Sequence, residues 1–310
     1  MDTMRLLIGY DGSPSAQVVL EDLGHAGLPP HSHAIVLSIA DMIALPPGGP
    51  DLDPTLPEWL AGTIRRAQSE RQSAIEAMRS QADLAAGRLE EAFPTWKVDA
   101  EAHGDSPTWG IVKRSDDLHP DLVVLGSRGR AVVERLGLGS VSLQVLHAAR
   151  CSVRIARSRP RKQGAPLGLL VGVDGSRHSL AAVRAVTSRT WPPLTQVRVV
   201  SALDAFLATA VVSPRHDLAR WLQENAETST WVHRMVEDLA QELRAASLDA
   251  EGVVLIGAPK AVLLEEAERW QADCVFLGSQ GLNAVERLML GSVSTAVAAR
   301  AACSVEISRP

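Results

Sequence analysis

The sequence predicts two doubly wound α/β domains in tandem, each a parallel sheet with helices on both faces. Three observations predict it. Short apolar runs alternate with amphipathic stretches of helical period, the pattern of strand–helix–strand units. The chain also repeats itself: residues 121–158 laid over 273–310, an offset of 152, agree at 22 of 38 positions. A period of that size is a duplicated domain, since solenoid units run to a few tens of residues. Each copy, finally, carries a glycine loop directly after an apolar strand, GSRGRAVVERLGLGS at 126–140 and GSQGLNAVERLMLGS at 278–292.

The first copy opens with a strand at Leu6–Tyr10. A helix follows from Ser13, with Pro14 in the first position, where a missing N–H costs nothing. Ala34–Ala40 reads as the second strand. Residues 42–57, MIALPPGGPDLDPTLP, hold too much Pro and Gly for regular structure and form an insertion, either a lid or a disordered loop. A long amphipathic helix, about Glu58–Phe93, precedes a third strand at Trp96–His103 and a helix from about Pro107. Leu122–Leu125 is apolar throughout, as a central parallel strand is. After the glycine loop come a helix at Val141–Ala149 and a last strand at Ser152–Ala156. The second copy repeats the pattern: strands at Leu169–Val173, Val197–Ser201, Gly252–Ile256, Val275–Leu277 and Ser304–Ile307, with a helix near His216–Ala246. LLIGYDGSPSA at 6–16 answers LLVGVDGSRHS at 169–179, an offset of 163. The expected domains are 1–158 and 168–310, joined by a polar, Pro- and Gly-containing linker at 159–167.

Composition narrows the function. A chain of 310 residues with a net charge of -5 and no basic tract has nothing to offer nucleic acid or an anionic membrane. Its apolar runs are strand-length, too short to cross a bilayer, and its start lacks the pattern of a signal peptide, so a cytoplasmic location is expected. Cys151, Cys274 and Cys303 lack CxxC spacing and read as buried, reduced thiols, although Cys151 and Cys303 are equivalent and could meet across a pseudo-twofold axis. The nine histidines show no ligand spacing, with His103 the one weak site candidate. The seven tryptophans read as core or interface packing.

In doubly wound sheets ligands bind beyond the carboxyl ends of the strands. Asp11-Gly12-Ser13 after the first strand and the loop after the fourth both fall at that edge, as do Asp174-Gly175-Ser176 and the second loop. Gly126 and Gly129 let a ligand approach backbone N–H groups, and Gly139-Ser140 opens a helix whose N-terminus attracts anions. Together the parts suit a polyphosphate. No GxxxxGK[ST] occurs, and only Gly12 stands where a dinucleotide fingerprint would need three glycines. Either loop alone reads equally well as a tight turn with a helix cap, and Asp11 and Asp174 could cap the helices after them.

Gly-x2-Gly-x9-Gly-Ser after a strand ending in Leu-Gly, twice in register with two Asp-Gly-Ser starts, resembles the ATP-binding motif of the universal stress protein family in its tandem form. The resemblance covers nearly the whole chain. It implies an ATP (or ADP) site in each half, with Mg²⁺ reaching Asp11 and Asp174 through the phosphates and no metal held by protein alone. It places Asp11 and Asp174 by the ribose and phosphates, and Ile39 and Ala202 by adenine through their backbone. It assigns the cradle to Gly126, Gly129, Gly139 and Ser140 with the helix start at Val141 and Ser142. In the second half these are Gly278, Gly281, Gly291, Ser292, Val293 and Ser294. Arg128 and Arg130 become Gln280 and Leu282, so the first site would hold phosphate more tightly. It further implies pairing of the terminal strands as an intramolecular pseudo-dimer and a protein partner reading the nucleotide state, with a homodimer of the tandem chain left open. No catalytic residues are assigned, since no triad, carboxylate pair or metal cluster is visible. The alternatives are a nucleotide-free scaffold of the same fold and a slow ATP hydrolase.

Overall fold

A computed structural model describes residues 3–42, 57–129, 137–160, 164–203, 226–281 and 290–310. The first half runs β1 (Met4–Gly9), α1 (Pro14–Leu23), β2 (Ser32–Asp41), α2 (Glu58–Ala92), β3 (Lys97–Asp105), α3 (Pro107–Leu118), β4 (Leu122–Gly126), α4 (Ser140–Ala148) and β5 (Ser152–Ala156). The second runs β6 (Gly168–Gly172), α5 (Arg177–Thr187), β7 (Gln196–Leu203), α6 (Ala226–Ala245), β8 (Asp249–Ile256), α7 (Pro259–Arg269), β9 (Cys274–Gly278), α8 (Ser292–Arg300) and β10 (Ser304–Ser308). The insertion at 43–56, the spacers at 130–136 and 282–289 with Arg130 and Leu282, and the start of the expected 216–246 helix lie outside the described residues.

Local chemistry sets the elements. Ser13 caps α1, its hydroxyl accepting from the Ala16 N–H at 3.2 Å, and Ser176 caps α5 through the Ser179 N–H at 3.1 Å. Proline opens α1, α3 and α7. His119 ends α3 by turning left-handed at φ 47°. β8 begins at Asp249, three residues before the apolar run at Gly252. Asp249 and Glu251 are exposed there, because an edge strand tolerates charge that a central strand does not.

The strands form one sheet in the order β3-β2-β1-β4-β5-β10-β9-β6-β7-β8. Each half is the doubly wound arrangement expected, parallel throughout. The halves join where β5 meets β10 antiparallel, with Val153 opposite Ile307, Arg154 opposite Glu306 and Ile155 opposite Val305. These pairs are equivalent positions of the repeat, so the pseudo-twofold axis passes through the Arg154–Glu306 pair.

On one face of the sheet a single core runs across the junction. It joins Leu7, Leu125 and Ile155 of the first half to Leu170, Leu277 and Ile307 of the second, beneath α3, α4, α7 and α8. On the other face each half has its own core, under α1 and α2 or under α5 and α6. All three cysteines are free thiols, and burial pushes Cys151 and Cys303 up to about 11. Among the described residues no helix is long and apolar enough to cross a membrane.

Candidate functional site

The strand order reverses direction between β1 and β4, and again between β6 and β9, and the chain leaves both members of each pair at the same edge. That is the crevice where open α/β sheets bind ligands. After β1 the turn Asp11-Gly12-Ser13 needs φ 74° at Gly12, and the matching turn needs φ 83° at Gly175, values that glycine adopts without strain. The Asp11 carboxylate accepts from the Ser13 N–H through Oδ1 at 2.9 Å, and Asp174 accepts from Ser176 at the same distance. The helix caps are the serines, so the aspartates serve the turn and stand at its outer side.

Across the crevice each carboxylate meets a glycine of the loop. A Cβ built on Gly129 would lie 3.2 Å from Asp11 Oδ2, and one on Gly281 would lie 2.8 Å from Asp174 Oδ2. The sequence separates these residues by more than a hundred positions, and the fold sets them side by side in both halves. The loop closes at its far end by a hydrogen bond from the Gly139 N–H to Ser127 O at 2.8 Å, and from Gly291 to Ser279 O at 2.7 Å. Gly139 and Gly291 are the N-cap residues of α4 and α8, and no side chain caps either helix. Their first-turn N–H groups have no intrahelical partner, which leaves donors and a positive dipole end at the crevice. Ser140 and Ser292 are exposed there.

Other expected residues have different neighbours. Gly126 and Gly278 serve packing: a Cβ on Gly126 would lie 2.7 Å from the backbone oxygen of Ser15, and one on Gly278 2.4 Å from the carbonyl carbon of His178. They let the first turn of α1 or α5 rest on the strand end. Ser142 and Ser294 donate their hydroxyls to Gly126 O at 2.7 Å and Gly278 O at 2.6 Å, latching helix to strand. Val141 and Val293 pack their side chains against the shared core. Ile39 lies two residues inside the end of β2, paired with His103, its side chain filling the space above Gly110 of α3. Ala202 pairs with Leu255 one residue before the end of β7. The Arg128 charge bears on Arg157 beyond the junction strand β5. Burial first, and then Arg128, bring Arg157 down to about 10 despite Cys303.

Several contacts escaped the motif reading. His178 Nδ1 lies 2.9 Å from Ser279 Oγ and Ser176 Oγ donates to Gln280 O at 3.3 Å, tying the second glycine loop to α5. Ser15 stands where His178 does in the repeat. On α6, Trp231 and Met235 lie against the second turn, 2.7 and 3.1 Å from where a Cβ of Gly175 would be. Ser38 fixes the end of β1 by donating to Tyr10 O at 2.6 Å. Such contacts join distant elements and leave no mark in local spacing.

A groove of about 610 Å³ lies elsewhere, wrapped around the edge strand β3 between Arg71 of α2 and Gly110, Lys113 and Arg114 of α3. His103 lines it, 3.3 Å from Glu101, while Arg114 clasps the same carboxylate with two nitrogens. Burial opposes ionisation of Glu101, but Arg114 and His103 win and hold it below the usual range. Neither the glycine loops nor Asp11 and Asp174 line this groove.

A model of the Universal stress protein family matches the chain twice, at residues 3–157 and 169–309. A universal stress protein of Mycobacterium tuberculosis is 33% identical over 221 residues, 68% of this chain and 69% of that one. One from Mycolicibacterium smegmatis is 29% identical over 265 residues, covering 83% and 84%. The crystal structure of a universal stress protein from Archaeoglobus fulgidus superposes with a TM-score of 0.63 at 19% identity, covering 100% of this chain and 99% of that one.

Proposed function

This chain belongs to the universal stress protein family, and from that premise we propose that it is an ATP-binding regulatory protein with one adenine-nucleotide site in each half. One observation carries the reading. At both switch points an aspartate carboxylate, a glycine with no side chain to fill the space before it, and an uncapped helix N-terminus converge. Glycine admits a phosphate to backbone N–H groups, and the helix end attracts its charge. Among the described residues no cluster of three or more metal-ligating side chains occurs. Mg²⁺ brought in with the nucleotide would be held by Asp11 or Asp174 and would offset the phosphate charge. The nucleotide acts as a conformational ligand: it favours the state to which the loop donors are best aligned, and a protein partner reads that state.

The experiment is to purify the chain without added nucleotide, denature it and quantify released ATP and ADP, alongside Gly129→Val and Gly281→Val. Both substitutions fall on exposed loop positions facing an aspartate, so they fill the crevice without touching the core. About two nucleotides per chain, with each variant losing about one, is the expected result. None bound, even after incubation with Mg-ATP, leaves a scaffold acting by protein contact. Turnover in wild type that disappears in Asp11→Asn and Asp174→Asn would make it a hydrolase.

A further inference from the structure

The face of the sheet opposite the shared core holds four buried charges at the junction. Arg154 of β5 clasps Asp22 of α1 with Nε at 2.6 Å and Nη2 at 3.1 Å, and reaches Glu306 of β10 with Nη1 at 3.3 Å. Glu306 is held from its other side by both terminal nitrogens of Arg189, which follows α5. The side chains of Arg154 and Glu306 are 1% and 0% exposed, those of Asp22 and Arg189 8% and 5%. Ser304 adds a hydroxyl bond to Asp22 Oδ1 at 2.6 Å, and Arg189 donates to Ala26 O at 3.1 Å, both across the junction.

The repeat makes this arrangement informative. Along β5 and β10 the two halves agree closely, yet Arg154 and Glu306 differ there, and Asp22 and Arg189, on more divergent segments, also lack a like residue at their equivalent positions. Arg154 answers Glu306, Asp22 answers Ala185, and Arg189 answers Ala26. Arg154 and Glu306 sit on the pseudo-twofold axis, where in any pairing of like halves a residue faces its own copy. Two first halves would bury arginine against arginine there, and two second halves glutamate against glutamate. Only unlike halves join the alternating row Asp22, Arg154, Glu306, Arg189.

We propose that the β5–β10 junction is a keyed interface whose fitting partner is the unlike half of this same chain, with Arg154 and Glu306 as the key that excludes like pairs. Hydrophobic burial on the other face is indifferent to which half it joins, because Val153 and Ile155 match Val305 and Ile307. Affinity comes from that apolar face, and selectivity from the charges. A buried row of this kind is a poor source of stability and a good source of discrimination, since a wrong partner leaves like charges together out of water.

The test uses the folded full chain with a protease site placed at 161–163 and cut afterwards, so that the junction alone holds the halves. Heavy- and light-isotope nicked proteins are mixed, passed through urea and back, and weighed by native mass spectrometry. The halves differ in length, so the three possible pairs differ in mass. Expected are heavy–light exchange and unlike pairs only. Like pairs at more than a few per cent of the total would overturn the proposal, and so would failure of any pair to re-form. Two variants then separate charge from shape. Asp22→Ala, Arg154→Met, Arg189→Ala and Glu306→Met together level the halves, and like pairs should rise toward the statistical half of the mixture. Glu306→Gln, which keeps the shape, should admit second-half pairs if the levelled chain does not fold. Unlike pairs alone in the variants would place selectivity in shape and sink the key.

Discussion

At the scale of the residue, the first two glycines of each loop motif do different work. Gly126 and Gly278 point at the backbone of α1 and α5, whereas Gly129 and Gly281 point at aspartates across the crevice. Gly278→Val should therefore lower stability by about 3 kcal/mol, since a backbone clash cannot be relieved by a rotamer. Thermal melts would show it, and an unshifted melting temperature would refute the packing role. Gly281→Val should leave the melt nearly unchanged and remove one nucleotide. Motif spacing cannot tell these glycines apart, because the distinction lies in what faces each absent Cβ. His178 makes a second prediction. Burial chiefly, with help from Arg177 and Arg309 and against Asp174, holds its imidazole below the ordinary value. The unfolded chain then takes up the proton first as pH falls below about 6.5, so His178 costs the folded state stability from there down to its lowered pKa. Unfolding free energies of His178→Asn measured at several pH values should fall less steeply on acidification than those of wild type. Equal slopes would show that the group does not carry the effect.

At the scale of the element, α4 and α8 matter most, because each links a candidate site to the other half. Each begins uncapped at a candidate site, and each ends against an arginine of the other half. Arg309 donates to Leu146 O at 2.7 Å and Cys151 O at 2.9 Å, and Arg157 donates to Ala298 O. Arg309→Met should cost about 2 kcal/mol, the usual worth of hydrogen bonds from a charged donor. It should also speed amide exchange in the last turn of α4 before any other helix, and unaltered exchange there would count against the cap. Most elements were legible from period and punctuation: Ser13-Pro14 for α1, the apolar Leu122–Leu125 for β4, Gly139-Ser140 for α4. The doubled Asp-Gly-Ser and glycine loops located the crevice as well. Asp249 and Glu251 hid the start of β8, because alternation with exposed charge looks like loop. The key at the junction was equally hidden. Arg154 and Glu306 become a facing charge pair only when β5 and β10 are laid side by side.

At the scale of the whole molecule, the shared core under α3, α4, α7 and α8 makes the two halves one cooperative unit. Calorimetry should record a single unfolding transition whose van't Hoff and calorimetric enthalpies agree, despite the duplicated sequence. Two resolved transitions would mean that the junction contributes little. The antiparallel seam has a further consequence. Because β5 and β10 run in opposite directions, the carboxyl edge of the first half lies along one rim of the ribbon and that of the second along the opposite rim. The two crevices open back to back. If each crevice holds a nucleotide as proposed, one flat partner could not read both, and the molecule would serve as a two-sided label, its first message presented to one addressee while a second is read from behind.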